Sequence, residues 1–218
     1  GVESMSRAPF VMSKSTQPFQ RSAEVFDTTL GWRFINKKLA EAYHPYSMGE
    51  TAENVAKQWK ISREAQDEFA MQSQEKYFTA LEKGTWKDEI VPVEIDGEKA
   101  RPDGPVGRGA KKIVDTDEHP RKTSLEKLTS LKPAFVKEGT VTAGNSSGIN
   151  DGAAAMLLAS EDAVKKYNLK PITKVISMAV AGVDPSIMGI GPVAATQKAL
   201  KRASLSIANI DLIELNEA

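Results

Sequence analysis

The 218 residues carry 29 basic and 29 acidic side chains, with 40% apolar and 27% charged residues. That balance belongs to a folded chain and excludes a largely disordered or collagen-like one, while zero net charge argues against a nucleic-acid-binding domain, which normally shows a basic excess. The absence of cysteine excludes a disulfide framework, a thiolate zinc site and a cysteine nucleophile within this chain.

A chain of this size can bury roughly 70% of its unfolded surface, so a core sufficient without staples is expected. No apolar stretch approaches the ~18 residues of a membrane span; the longest run, Ala153 to Ala159, is far too short. Two features point to a piece of a longer chain. The sequence opens Gly1-Val2-Glu3, with neither a Met nor the pattern of a signal peptide. It stops at Asn216-Glu217-Ala218, directly behind Ile210, Leu212, Ile213 and Leu215, where a frayed polar tail is usual.

Residues 1–37 are mixed and turn-rich, so only short helical stretches are expected there. Asp27-Thr28-Thr29-Leu30-Gly31-Trp32 reads as a loop with one buried aromatic. From Leu39 to Leu131 the helices are clearest. Ala52, Val55, Ala56 and Trp59 form a one-sided stripe at i, i+3, i+4 and i+7. Ser62 is a good N-cap for a second helix, and Gly84 suits the C′ position behind it. Ile90, Val91, Val93 and Ile95 read as a short edge strand because Pro92 interrupts them. Asp96 to Lys112, with four glycines and two prolines, reads as a loop. Thr123-Ser124-Leu125-Glu126 has the spacing of a capping box and opens a short helix.

Beyond Gly139 the apolar runs become continuous, at 153–159 and then 175–180, and Ile210, Leu212, Ile213 and Leu215 form a further strand-like run. Such runs suit strands buried on both faces. Helices alternate with them. Ser160-Glu161-Asp162 caps one that ends in Lys165-Lys166, with charges suited to the helix dipole. Pro192 fits the first position of the next. Strand alternating with helix implies an α/β architecture.

Three segments are candidates for chemistry. Thr140 to Gly152 contains three glycines with Asn, Ser and Asp between them. Such a turn can aim amides and hydroxyls at a ligand, although by pattern alone a tight turn that starts a strand is commoner. It is neither a P-loop nor a dinucleotide fingerprint. Asn216 ends an apolar run, where an amide can polarise a carbonyl or hold a water; a plain turn Asn is the ordinary alternative. Gly182 to Pro192 is a glycine-rich loop with Met188, which suits an apolar ligand channel or core filling equally. Arg108, Lys111, Lys112, Arg121 and Lys122 are interleaved with acids and read as a solvated surface. His44 and His119 lack metal-ligand spacing.

Taken together, five motifs in order resemble the thiolase family: Gly1 to Pro9, Met48-Gly49-Glu50-Thr51-Ala52-Glu53-Asn54, the 139–152 segment, Gly182 to Pro192, and Glu214-Leu215-Asn216-Glu217-Ala218. Asp27 to Phe34 and Tyr46 to Glu50 look most like degradative 3-ketoacyl-CoA thiolases. The resemblance implies two similar α/β halves with a loop domain inserted in the first. On that pattern residues 1–11 and 145–168 belong to the N-terminal half, 12–144 to the loop domain that binds coenzyme A, and 169–218 to the start of the C-terminal half.

The implied reaction is thiolytic cleavage of a 3-ketoacyl-CoA, as in fatty-acid β-oxidation. Acetoacetyl-CoA chemistry is the alternative within the family, and a non-catalytic coenzyme A-binding or scaffold protein the alternative outside it. Three family residues are missing: the acyl-carrying Cys expected upstream, and the Gly-His-Pro histidine and second Cys expected downstream. The resemblance therefore implies an internal fragment, inactive by itself.

By the same resemblance, Asn216 matches the Asn that holds a water in an oxyanion hole. Ser147 matches the Ser that bonds the pantetheine arm, with Ala143 and Ile149 beside it. Met188 matches the Met lining the acyl and pantetheine pocket. Leu39 and Phe135 match apolar positions around the coenzyme, and Arg121, across a one-residue gap, an Arg near the adenine nucleotide. Ser47 stands where some members have His, which leans toward longer acyl chains. No cofactor or metal is implied, since coenzyme A is a substrate. The implied partners are coenzyme A thioesters and further copies of the parent enzyme, as a homodimer or homotetramer, with no nucleic acid and no membrane. The motifs lean toward a cytoplasmic protein and leave mitochondrial and peroxisomal ones open.

Overall fold

The computed structural model describes residues 1–97 and 109–217. The chain divides into two compact units, Gly1–Arg63 with Lys132–Ala218, and Glu64–Leu131.

In the first unit β1 (Val2–Ser4) pairs antiparallel with β6 (Asp151–Ala153), Val2 opposite Ala153 and Ser4 opposite Asp151. A carboxylate fastens this corner. Asp151 accepts from the Ser6 hydroxyl at 2.5 Å and the Ser6 backbone N–H at 2.9 Å. These bonds hold its pKa below the ordinary Asp value. A second ribbon joins β2 (Phe10–Met12) to β3 (Val25–Asp27). Residues 1–36 thus hold three short strands and one 3-10 turn, Met5–Arg7, where a turn-rich stretch with only short helical pieces was expected. Three residues per strand are too few for an alternating pattern to stand out. Trp32 is not buried as expected but 57% exposed. Its indole N–H donates to the Tyr46 carbonyl at 2.8 Å, and this polar tether satisfies it at the surface.

Next come α1 (Lys37–Ala42) and α2 (Met48–Trp59). The latter starts four residues before the apolar stripe because Ser47 and Glu50 close a capping box. The Ser47 N–H donates to Glu50 Oε2 at 2.7 Å, and Ser47 Oγ accepts from the Glu50 N–H at 3.4 Å. The bond from the Ser47 backbone is the main reason that the Glu50 carboxyl titrates below its ordinary value. Further on, α5 (Glu161–Tyr167) begins at Ser160, whose hydroxyl accepts from the Ala163 N–H at 3.2 Å. The last helix, α6 (Gly191–Ala203), carries Pro192 in its first turn. Lys60 (φ 53°), Asn168 (φ 50°) and Ser204 (φ 56°) end α2, α5 and α6 in the left-handed region.

The strands expected at 153–159, 175–180 and 210–215 are not buried, and beyond Ala153 no residue of these runs belongs to a sheet. Met156 is 85% exposed, Val180 81% and Leu212 78%, and Ile172 just outside the runs is 98% exposed. Strand status depends on a neighbour that supplies ladder hydrogen bonds; Ala154 still exchanges backbone bonds with Gly1, and past it no strand among the described residues pairs with these runs. The sizeable core expected from length is absent among the described residues. Among the described residues the buried apolar side chains are Ala56, Leu128 and Val141.

The second unit is built on the long helix α3 (Arg63–Glu82), which starts directly after Ser62. It ends as anticipated, with Gly84 at φ 70° and its N–H on the Leu81 carbonyl at 3.0 Å. Tyr77 stacks on Trp86 and meets Phe78 edge-on, with centroids 6.0 and 5.4 Å apart. Burial, aided by the Asp117 charge, raises the Tyr77 pKa. The edge strand expected before residue 96 is β4 (Val93–Gly97), beginning just past Pro92 and paired antiparallel with β5 (Gly109–Val114). Residues 96, 97 and 109–112 are therefore strand, not loop. Residues 98–108 lie outside the described residues. In α4 (Leu125–Thr129) the cap is Ser124, which accepts from the Lys127 N–H at 3.3 Å. The helix starts one residue later than the Thr123–Glu126 box requires.

Candidate functional site

Three of the expected segments converge on α2, and four residues of that helix explain how. Gly49 and Glu53 are four apart and share a face. Asn54 and Val55 follow at about 100° per residue, which carries them off that face and round toward the far side of the helix.

The Gly49–Glu53 face meets the segment 133–142. There Pro133 bridges Thr142, and the Ala134 N–H donates to the Val141 carbonyl at 2.9 Å. The Gly139 N–H closes the loop on the Val136 carbonyl at 3.0 Å. Phe135 lies flat against Gly49, where any Cβ would overlap its ring. The Glu53 carboxylate takes three bonds from the same segment. It accepts from the backbone N–H groups of Thr140 and Val141, each at 2.7 Å, and from the Thr140 hydroxyl at 2.9 Å. Gly139 is again a matter of space, because a Cβ there would strike the Glu53 carboxylate.

Behind this clamp the loop braces itself. Thr142 is fully buried. Its N–H donates to Asn145 Oδ1 at 2.7 Å, and its carbonyl accepts from the Ser146 hydroxyl at 2.7 Å. Asn145 Nδ2 returns to the Thr140 carbonyl at 3.1 Å. Asn145, Ser146 and Asp151 are thus engaged in holding the backbone. Ala143, Ser147 and Ile149 reach the surface on the loop so held.

That far side of α2 meets the Met188 segment. Asn54 Nδ2 donates to the Ser186 carbonyl at 2.9 Å, and Val55 packs on Gly189, 3.7 Å from where a Cβ would stand. Asp184 caps the 3-10 turn Pro185–Ile190 by accepting from the Ser186 N–H and hydroxyl at 2.8 and 2.7 Å. The hydroxyl bond comes first among the causes that hold its pKa down. Met188 is about half exposed and so is not core filling.

The structure thus brings Phe135, the Ala143–Ile149 loop and Met188 onto one helix. The other expected residues stand elsewhere. Leu39 makes local backbone bonds, its N–H to Asn36 Oδ1 and its carbonyl from the Tyr43 N–H. Asn216 is exposed in a segment that forms no sheet, so it does not end a strand as expected. Arg121 belongs to the second unit. Its N–H donates to Gln74 Oε1 at 2.9 Å, and it lines an open groove of about 440 Å³ with Met71, Phe78 and Lys122. Lys122 lies 5.3 Å over the Phe78 ring. Lys111 pairs with Glu94 and Lys112 with Glu118, the ordinary surface reading of those lysines; Arg108 lies outside the described residues. The His44 ring meets the Tyr46 ring at a 58° tilt, with centroids 4.4 Å apart.

Sequence reasoning missed the parts played by Glu53, Asn54 and Thr142. Their signal was present: Glu53 and Asn54 close the 48–54 motif, but a charged residue on a helix reads as solvated until its partner is known.

Comparison with known proteins agrees with this arrangement. Residues 1–162 match the thiolase N-terminal domain and residues 169–218 the thiolase C-terminal domain. The β-ketoadipyl-CoA thiolase of Escherichia coli is 51% identical over 219 residues, covering 100% of this chain and 52% of that protein. The acetyl-CoA acetyltransferase of Bacillus anthracis superposes with a TM-score of 0.85 at 40% identity, over 100% of this chain and 52% of that one. Human mitochondrial 3-ketoacyl-CoA thiolase in complex with CoA gives 0.83 at 41% identity, over 100% and 51%. The chain spans about half the length of these relatives and shares their α/β fold over that half. It belongs to the thiolase family.

Proposed function

We propose that these residues are the coenzyme A-handling part of a thiolase that cleaves a 3-ketoacyl-CoA with coenzyme A into acyl-CoA and acetyl-CoA. The observation that carries this reading is the convergence of the 140–149 loop and the Met188 segment on α2, within a chain of this family. The Ser147 loop holds the pantetheine arm, with Ala143, Ile149, Leu39 and Phe135 as its apolar surroundings. Met188 borders the acyl chain. The Asn216 amide stabilises charge on a reacting carbonyl oxygen.

The reaction breaks the C2–C3 bond of the substrate. The acyl group passes to a thiolate and then to the coenzyme A sulfur, while the acetyl fragment takes up a proton. These residues contain no cysteine, so the thiolate comes from a part of the protein outside them. The 218 residues by themselves are inactive.

The test expresses the whole coding frame and follows loss of 3-ketoacyl-CoA and gain of acetyl-CoA. Turnover that requires coenzyme A supports the reading. A complete product without thiolysis overturns it and leaves coenzyme A binding as the alternative. Ser47 favours longer straight chains, as in fatty-acid β-oxidation. A second reading is a dicarboxylic acyl chain, favoured by the 51% identity to β-ketoadipyl-CoA thiolase against 41% to the mitochondrial 3-ketoacyl-CoA enzyme. Relative kcat/KM for acetoacetyl-, long-chain 3-ketoacyl- and 3-oxoadipyl-CoA ranks the three.

A further inference from the structure

We propose that Glu53 and Asn54 are positioning residues that set the coenzyme loop and the acyl-side segment from one rigid helix. This rests on the thiolase reading above and deepens it. Neither side chain needs to touch substrate. Each acts through a backbone that carries a residue which does.

Three observations support Glu53. Its carboxylate accepts three hydrogen bonds from Thr140 and Val141, seven and six residues before Ser147. Two come from backbone N–H groups, which would otherwise have to find partners in a half-buried place. Gly139 lacks the Cβ that would displace the carboxylate, so the loop is shaped around it. The Thr140 carbonyl, next to those donors, is bonded to Asn145, which also holds Thr142. A shift at Glu53 therefore passes along a braced loop rather than dissipating in a slack one. Asn54 does the corresponding work for the Met188 segment through the Ser186 carbonyl. Because α2 is rigid at 1.5 Å per residue, neighbouring residues on it fix the offset between the two loops.

The test uses the intact parent thiolase. Glu53→Ala removes the acceptor for all three donors. KM for coenzyme A is expected to rise about 10- to 100-fold, as for loss of charge-assisted bonds, with kcat changing much less. Glu53→Gln keeps one oxygen for the two N–H groups, and its amide can donate to the Thr140 hydroxyl, so it restores most of the affinity. Asn54→Ala shifts the kcat/KM ratio between long and short acyl chains while leaving KM for coenzyme A near the parent value. If Glu53→Ala fails to fold, Thr140→Val, which removes only the hydroxyl bond, carries the test with a rise of about 3- to 10-fold.

A Glu53→Ala enzyme that melts lower yet keeps its KM for coenzyme A overturns the inference, because Glu53 would then be structural only. So does a Thr140→Val enzyme with unchanged KM where Glu53→Ala cannot be made. A parent protein that neither cleaves 3-ketoacyl-CoA nor binds coenzyme A overturns the functional reading, and this inference with it.

Discussion

The α2 helix with its two attached loops and the apolar runs at 153–159, 175–180 and 210–215 make opposite demands on the chain. The first is closed by hydrogen bonds whose donors and acceptors all lie within the first unit. The runs are as apolar as core strands and stay exposed, because a strand is completed only by a neighbour. Local closure needs a few well-placed polar groups, whereas burial needs a second surface. A segment can therefore keep an ordered loop while lacking the sheet that would cover its apolar runs.

The largest expected effect breaks the comparison at its weaker side. The 218-residue chain produced alone should self-associate through the uncovered runs, since exposed apolar patches of this kind drive association. Size exclusion and binding of an apolar dye measure this. Charged substitutions such as Leu157→Lys with Ile176→Lys should shift it toward monomer. A sharp monomer peak with a cooperative melt would contradict the picture.

Next comes the stronger side. Gly49→Ala places a methyl inside the Phe135 ring position, and overpacking of this kind costs about 1–3 kcal/mol, read as a lower denaturant midpoint in the intact protein. The same change to Ala at Gly152, where nothing stands within 4 Å of a Cβ, should be much milder. Smaller still is the loss of the cap that starts the helix directly behind the first run. Ser160→Ala removes the acceptor for the Ala163 N–H, and about 1 kcal/mol of stability goes with it.

The smallest effect is a pH dependence. Asp151 and Asp184 have native pKa values below the ordinary Asp range because Ser6 and Ser186 donate to them. Their contribution is complete above the unfolded value of about 3.9 and is lost as pH falls through the lower native values. Ser6→Ala should flatten the acid limb of a stability curve below about pH 4 and leave neutral pH almost unchanged in slope.

Legibility followed the range of the interactions. The Ser160 cap and the Gly84 terminator could be read from sequence because each depends on residues within one turn of itself, whereas the strand expected over Ile90 to Ile95 forms only from Val93, where β5 pairs with it. The 140–152 loop was legible as a loop with polar residues bonding back to backbone, and Asn145 and Ser146 do so. What holds that loop was not legible. Glu53 lies 87 residues from Thr140, and nothing in a helical Glu announces a distant pair of backbone donors. The buried strands were misread for a related reason. Val175 to Val180 has the composition of a central strand, but composition reports what a segment is suited to bury against, not whether that surface is present. Trp32 failed as a core residue because its indole found a carbonyl at the surface.

The helix ends hold one more consequence. Lys60 and Ser204 occupy left-handed backbone, a conformation that costs a side chain bearing a Cβ roughly 1–2 kcal/mol and glycine almost nothing. Both sit where a helix terminates on its own backbone bonds, so the turn itself is not at issue. The chain therefore carries unused reserves: glycine at either position offers up to about 1 kcal/mol of thermal tolerance. Neither position contributes a side chain to the clamp on α2, which leaves stability and ligand handling open to separate adjustment.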